Sequence, residues 1–99
     1  MRQPSSPAAL VFGSRVRYAR IALGLSQETI AELAQIHVTN YGKIERGLTN
    51  PSLTTLIRIA TVLGMEVSTL TDGLGAADLP PRFDVLTAQA FIEARDRHR

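Results

Sequence analysis

Cysteine is absent from the 99 residues. That excludes a disulfide framework and any zinc site built on thiolates. It suits a reducing compartment, and the chain is expected to be cytoplasmic. No apolar run approaches the roughly 20 residues needed to cross a bilayer. The N-terminus lacks the charged-then-apolar pattern of a secretory signal. Histidine occurs only at His37 and His98, far apart in sequence. With no carboxylate cluster beside them, neither a metal nor any other cofactor is expected. No Ser/His/Asp arrangement and no glycine-rich phosphate loop stands in the sequence. Glu28 and Glu32 are an i, i+4 pair on an outer helix face, which reads as solvated rather than as a catalytic dyad. An enzyme is therefore the least consistent class.

Lysine is nearly missing too. Lys43 is the only one, and every other basic side chain is arginine, which suits bidentate contact with phosphate. The net charge of +2, from 11 basic against 9 acidic residues, is mild. An ordinary solvated surface accounts for it as well as a nucleic-acid partner does. Placement says more than the total: Arg15, Arg17 and Arg20 fall in one segment, Lys43 and Arg46 in another.

The length allows one domain, and 44% hydrophobic residues allow a small core. Residues 1–8, rich in Pro and Ser, read as a flexible arm, with Arg2 its one charge. A first helix is expected from Ala8 or Ala9 to Leu23, with Phe12, Val16, Ala19 and Leu23 facing the core. Gly24 ends it, and Leu25 is expected to pack inward. Ser26 is a good N-cap for a second helix, with Ile30, Leu33 and Ala34 on one face beside Ala31. A bend falls at Gln35-Ile36-His37. A third helix follows from Val38 to about Arg46, with Tyr41 and Ile44 inward, and Gly47 stops it. Asn50 and Pro51 mark a turn. Ser52 caps a fourth helix with Leu53, Leu56, Ala60 and Leu63 inward and Arg58 exposed. Gly64 ends that helix, and Met65–Leu70 reads as a short fifth one. The expected compact domain is thus 9–74. Residues 75–82 form a linker in which Pro80 and Pro81 forbid helix. Residues 83–99 hold a last helix, Phe83 to about Arg97, with Leu86, Ala90, Phe91 and Ala94 as its apolar face and Arg99 solvated beyond it. No internal repeat is present.

Two short helices joined by a tight turn at 26–47 let the second project while the first braces it, a shape that fits the major groove of B-DNA. The fragments GLSQ at Gly24–Gln27, KIERG at Lys43–Gly47 and NPSLTTLIRIATVLG at Asn50–Gly64 carry a further message by their order and spacing. Together they resemble the Xre-type helix-turn-helix family, which contains phage repressors and Cro. The resemblance covers Phe12 to Leu70. It implies an all-α, five-helix, lambda-repressor-like DNA-binding domain, here with an additional C-terminal helix, that works as a homodimer on double-stranded DNA.

The resemblance also implies a site. Gln27 bonds a phosphate and stiffens the recognition helix. Val38, Thr39 and Lys43 face base edges, with Asn40 beside them. Threonine offers a hydroxyl and a methyl, lysine reaches guanine acceptors or a phosphate, and valine gives apolar contact. The His37 ring could donate to a phosphate, and Arg46 and Asn50 read as phosphate contacts. Arg20 and Glu45 match a family salt bridge between the first and third helices. Three positions depart from the family pattern: Gln35 where glycine is usual, His37 where a small hydroxyl caps the recognition helix, and Gly42 inside that helix. The expected function is a sequence-specific transcriptional regulator, a repressor. One alternative is an antitoxin-type regulator whose segment 83–97 binds a partner protein. Another is an RNA- or ribosome-associated module on the same fold.

Overall fold

Hydroxyl side chains start most of the helices. In the computed structural model, which describes residues 3–98, the Ser6 hydroxyl accepts the Ala9 N–H at 2.9 Å and opens α1, Pro7–Leu23. Ser26 does the same for α2, Gln27–Ala34. His37 caps α3, Val38–Glu45. Ser52 opens α4, Leu53–Leu63, and α5 is Val67–Thr71. After a 3₁₀ turn at Ala76–Asp78, Thr87 opens α6, Ala88–Arg97. Each cap satisfies an N–H that the first turn leaves without a helical partner. Among the described residues there is no strand, and no helix is long and apolar enough to cross a membrane. Arg2 and Arg99 lie outside the described residues.

The core draws on all of the first five helices. Phe12 and Val16 meet Ile30, Ala31 and Ala34, then Tyr41 and Ile44, with Ile59, Ala60, Leu63 and Leu70 closing the far side. α2 packs on α3 and α4, and α1 on α3 and α5. Glycine sets the closest approach. A Cβ on Gly13 would collide with the Ile44 carbonyl and lie 2.7 Å from the Glu45 oxygen. Gly47, at φ 72°, likewise leaves room for the Leu10 backbone, 2.7 Å from where its Cβ would stand.

Several expectations about facing are corrected. Leu23, Leu25, Leu33 and Leu53 are exposed, not inward. In α2 the small Ala31 takes the inward place beside Ile30. In α4 the buried stripe runs through Ile59, Ala60 and Leu63, with Leu56 packed beside it, and Leu53 in the first turn stays out. The first helix starts earlier than expected. Proline is favoured at the first helical position, so α1 begins at Pro7. Ser6 is buried, and the Ser5 N–H donates to the Gly47 carbonyl at 2.8 Å.

The tail also differs. Helix begins at Ala88 rather than Phe83, because Thr87 supplies the cap. Pro80 is buried, and with Pro81 it shares a cleft with Pro4, Pro7 and Leu10. Beyond it, no residue of α6 is buried. The Cα radius of gyration is 16.8 Å, against about 13 Å for a compact domain of this length, so the tail projects.

Candidate nucleic-acid interface

One carboxylate ties three helices together. Glu45, the last residue of α3, is buried. Arg20 from α1 grips it with both arms of its fork, Nε to Oε2 at 2.7 Å and Nη2 to Oε1 at 3.0 Å. Gln27 at the start of α2 donates its Nε2–H to the same Oε1 at 2.9 Å. The remaining Arg20 nitrogen donates to the Leu25 carbonyl at 2.9 Å. Burial alone would push the Glu45 carboxyl up. The hydrogen bonds from Arg20 and Gln27 outweigh that and hold it below the usual carboxylate value. Its partnership with Glu45 raises the Arg20 guanidinium, against burial. Burial, then the adjacent carboxylate, push the Tyr41 hydroxyl far up, so it stays protonated. The cluster fixes how α3 sits on α1 and α2, and a bidentate pair of this kind fixes geometry more than it adds net stability.

With its inner side anchored, α3 presents the other side outward. Val38, Thr39, Asn40 and Arg46 are exposed and Lys43 is half-buried. Thr39, Gly42, Lys43 and Arg46 stand at i, i+3, i+4 and i+7, one stripe of a helix. Among the described residues, the side chains of Thr39, Lys43 and Arg46 take no hydrogen-bond partner. Asn50 is exposed but apart from this stripe, in the loop beside a cleft lined by Ala8, Phe12 and Leu74. Gln27 is committed through its amide N–H to Glu45, and what it keeps for a phosphate is the backbone N–H at the start of α2.

The unusual turn resolves in detail. Gln35 adopts the left-handed conformation, φ 59° and ψ 44°, that glycine would take more readily. Its carbonyl accepts from Arg58 Nη1 at 3.4 Å. Arg58, expected to be exposed, is half-buried and also donates to Thr55. Sequence reasoning missed this brace, although a lone charge inside the apolar run LTTLIRIATVL was a signal. His37, standing where a small hydroxyl is usual, caps through its ring: Nδ1 accepts the Thr39 N–H at 3.2 Å. In the neutral ring that leaves the proton on Nε2. The cluster of Arg15, Arg17 and Arg20 is not a free basic patch. Arg15 donates to the Leu70 and Asp72 carbonyls at 3.2 and 2.8 Å, at the end of α5, Arg20 holds Glu45, and Arg17 alone is exposed.

The comparisons with known proteins agree with this geometry. Residues 16–70 match the helix-turn-helix family HTH_3. Over 66 residues the chain is 35% identical to the SPbeta prophage-derived uncharacterized HTH-type transcriptional regulator YonR of Bacillus subtilis strain 168, covering 67% of this chain. The match spans 61% of that protein, less than two thirds of its length. The restriction-modification controller protein C.AhdI from Aeromonas hydrophila is 42% identical, with 63% of this chain and 94% of that chain covered and a TM-score of 0.61. SinR, a Bacillus subtilis master regulator for biofilm formation solved in complex with DNA, is 37% identical, with 62% and 98% covered and a TM-score of 0.59. The chain belongs to the helix-turn-helix family, and to its Xre type.

Proposed function

We propose that this chain is a sequence-specific, duplex-DNA-binding transcriptional regulator that represses by occupying its operator. The observation that carries this reading is the division of labour on α3. Its inner side is locked to α1 and α2 through Glu45, while Thr39, Lys43 and Arg46 stand unpartnered on its outer side. A helix so braced enters the major groove. Phosphate contacts from Arg46, His37, Asn50 and the start of α2 at Gln27 hold register, and Val38, Thr39, Asn40 and Lys43 bias sequence. Two copies place two such helices in successive major grooves, about one turn apart.

The homodimer is supported by the tail. Phe83, Val85, Leu86, Phe91 and Ile92 are exposed, and Arg82 covers only one face of the Phe83 ring, 4.7 Å from its centre. A two-fold mate is the simplest cover for such a set. The antitoxin-type alternative uses the same surface for a different protein, and sedimentation of the chain alone as an ordered dimer would argue against it. Selecting binding sites from a random duplex pool tests the whole reading. A pair of symmetric half-sites centred about 10 base pairs apart is expected. Recovery of no enriched sequence would refute it.

A further inference from the structure

We propose that Gly42 is a specificity-determining position, because its missing side chain lets the Arg46 guanidinium lie back over α3 and read a guanine edge. This rests on the DNA-binding role proposed above and gives Arg46 a base edge in place of the phosphate assigned to it there. Gly42 stands on the outward stripe with Thr39, Lys43 and Arg46, yet it is buried. What covers it are two side chains. A Cβ at Gly42 would lie 3.1 Å from Arg46 Nη1, 3.8 Å from Arg46 Cζ and 3.6 Å from Gln27 Oε1. Glycine weakens a helix interior, so its presence here answers to the space it leaves rather than to the helix.

The direction of Arg46 matters. An arginine at the end of a helix that extends outward reaches past the helix to a backbone phosphate. Arg46 instead folds back one turn and lies in line with Thr39 and Lys43, the residues that face the groove floor. A guanidinium fork in that position matches the O6 and N7 acceptors of guanine. Gln27 flanks the slot from the other side. Its Nε2 is held by Glu45, which leaves its Oε1 toward Gly42. An alanine at 42 would force the guanidinium off the helix by a few tenths of an ångström or out of the slot.

The test compares wild type, G42A and R46A by site selection, by titration on the selected duplex and on an unrelated one, and by thermal melting. G42A is expected to melt no lower than wild type and to keep its affinity for the unrelated duplex. On the selected site it is expected to lose roughly tenfold or more, with the guanine preference at one position of each half-site gone. R46A, which removes the guanidinium, should lose the same preference, whatever the stability of G42A. Replacing that guanine by 7-deazaguanine, which lacks N7, should weaken wild type and leave R46A unchanged. Variants that keep the preference, or lose affinity equally on every sequence, would overturn the proposal and make Arg46 a phosphate contact only. A wild type with no preference among duplexes would remove the sequence-specific reading itself.

Discussion

Phe12 and Phe91 are the same residue in opposite circumstances. Phe12, in α1, is 4% exposed; Phe91, in α6, is 57% exposed. The body from α1 to α5 buries a continuous apolar core, though residues such as Tyr18, Leu33 and Leu53 stay exposed, and commits most of its arginines: Arg15 to α5, Arg20 to Glu45, Arg58 to the turn. The tail offers a comparable set of apolar residues and buries none within α6. The difference teaches that amphipathic periodicity specifies a face and leaves open what covers it. In the body the cover is intramolecular. In the tail it is supplied from outside, on our reading by a second copy.

That contrast is broken or sharpened by substitution. The largest effect is expected from Tyr41→Ala, which removes a fully buried ring beside the Glu45 cluster and should cost about 3–5 kcal/mol. Phe91→Ala should leave the melting of a dilute monomer within about 0.5 kcal/mol. Equal losses at the two sites by circular dichroism would end the distinction between body and tail.

Next comes deletion of everything after Leu74. The truncated protein should remain folded, sediment as a monomer and bind its operator far more weakly. A truncated protein that stays dimeric would move the interface onto α4 and α5.

The Glu45 cluster gives a third effect. Arg20→Ala or Glu45→Ala should each cost about 3 kcal/mol, because each leaves a buried group unpaired, and the double change should cost less than their sum. Strict additivity would refute the coupling. The pH dependence has a definite sign. The folded carboxyl titrates below its ordinary value of 4.5. Its ionised form therefore stabilises the fold at every pH above that value, and the contribution disappears as pH falls through the lower, folded value. Wild type should lose stability in that acid window, and Glu45→Gln should flatten this loss.

The smallest effects are on recognition alone. Thr39→Ala and Lys43→Ala should each lower specific affinity by about 1–3 kcal/mol with unchanged melting. A drop in melting at Thr39 comparable to that at Tyr41 would mean the outward face of α3 is wrongly assigned.

Much of this was legible in the sequence because local chemistry announces it. Ser26 and Ser52 cap, Gly24, Gly47 and Gly64 stop, and Tyr41 and Ile44 face inward as the spacing requires. What was not legible depends on neighbours. A 3.6-residue period defines a broad stripe, and the packing of α2 on α4 decides that Ala31 and Ile59 go in while Leu33 and Leu53 stay out. Gly13 looks like a weak point in a helix until α3 is laid against it. Arg15 and Arg58 read as surface charge because their acceptors are backbone carbonyls more than 20 residues away. The closeness of Gln27 to Gly42 likewise lies in a contact between α2 and α3 that no single segment contains.

The central claim is that α3 binds duplex DNA through a phosphate frame. Its most direct test is the salt dependence of operator binding by the intact protein. If each subunit neutralises three or four phosphates, log affinity against log salt should fall with a slope near −6 for the dimer. An affinity that is flat between low and physiological salt would contradict the account.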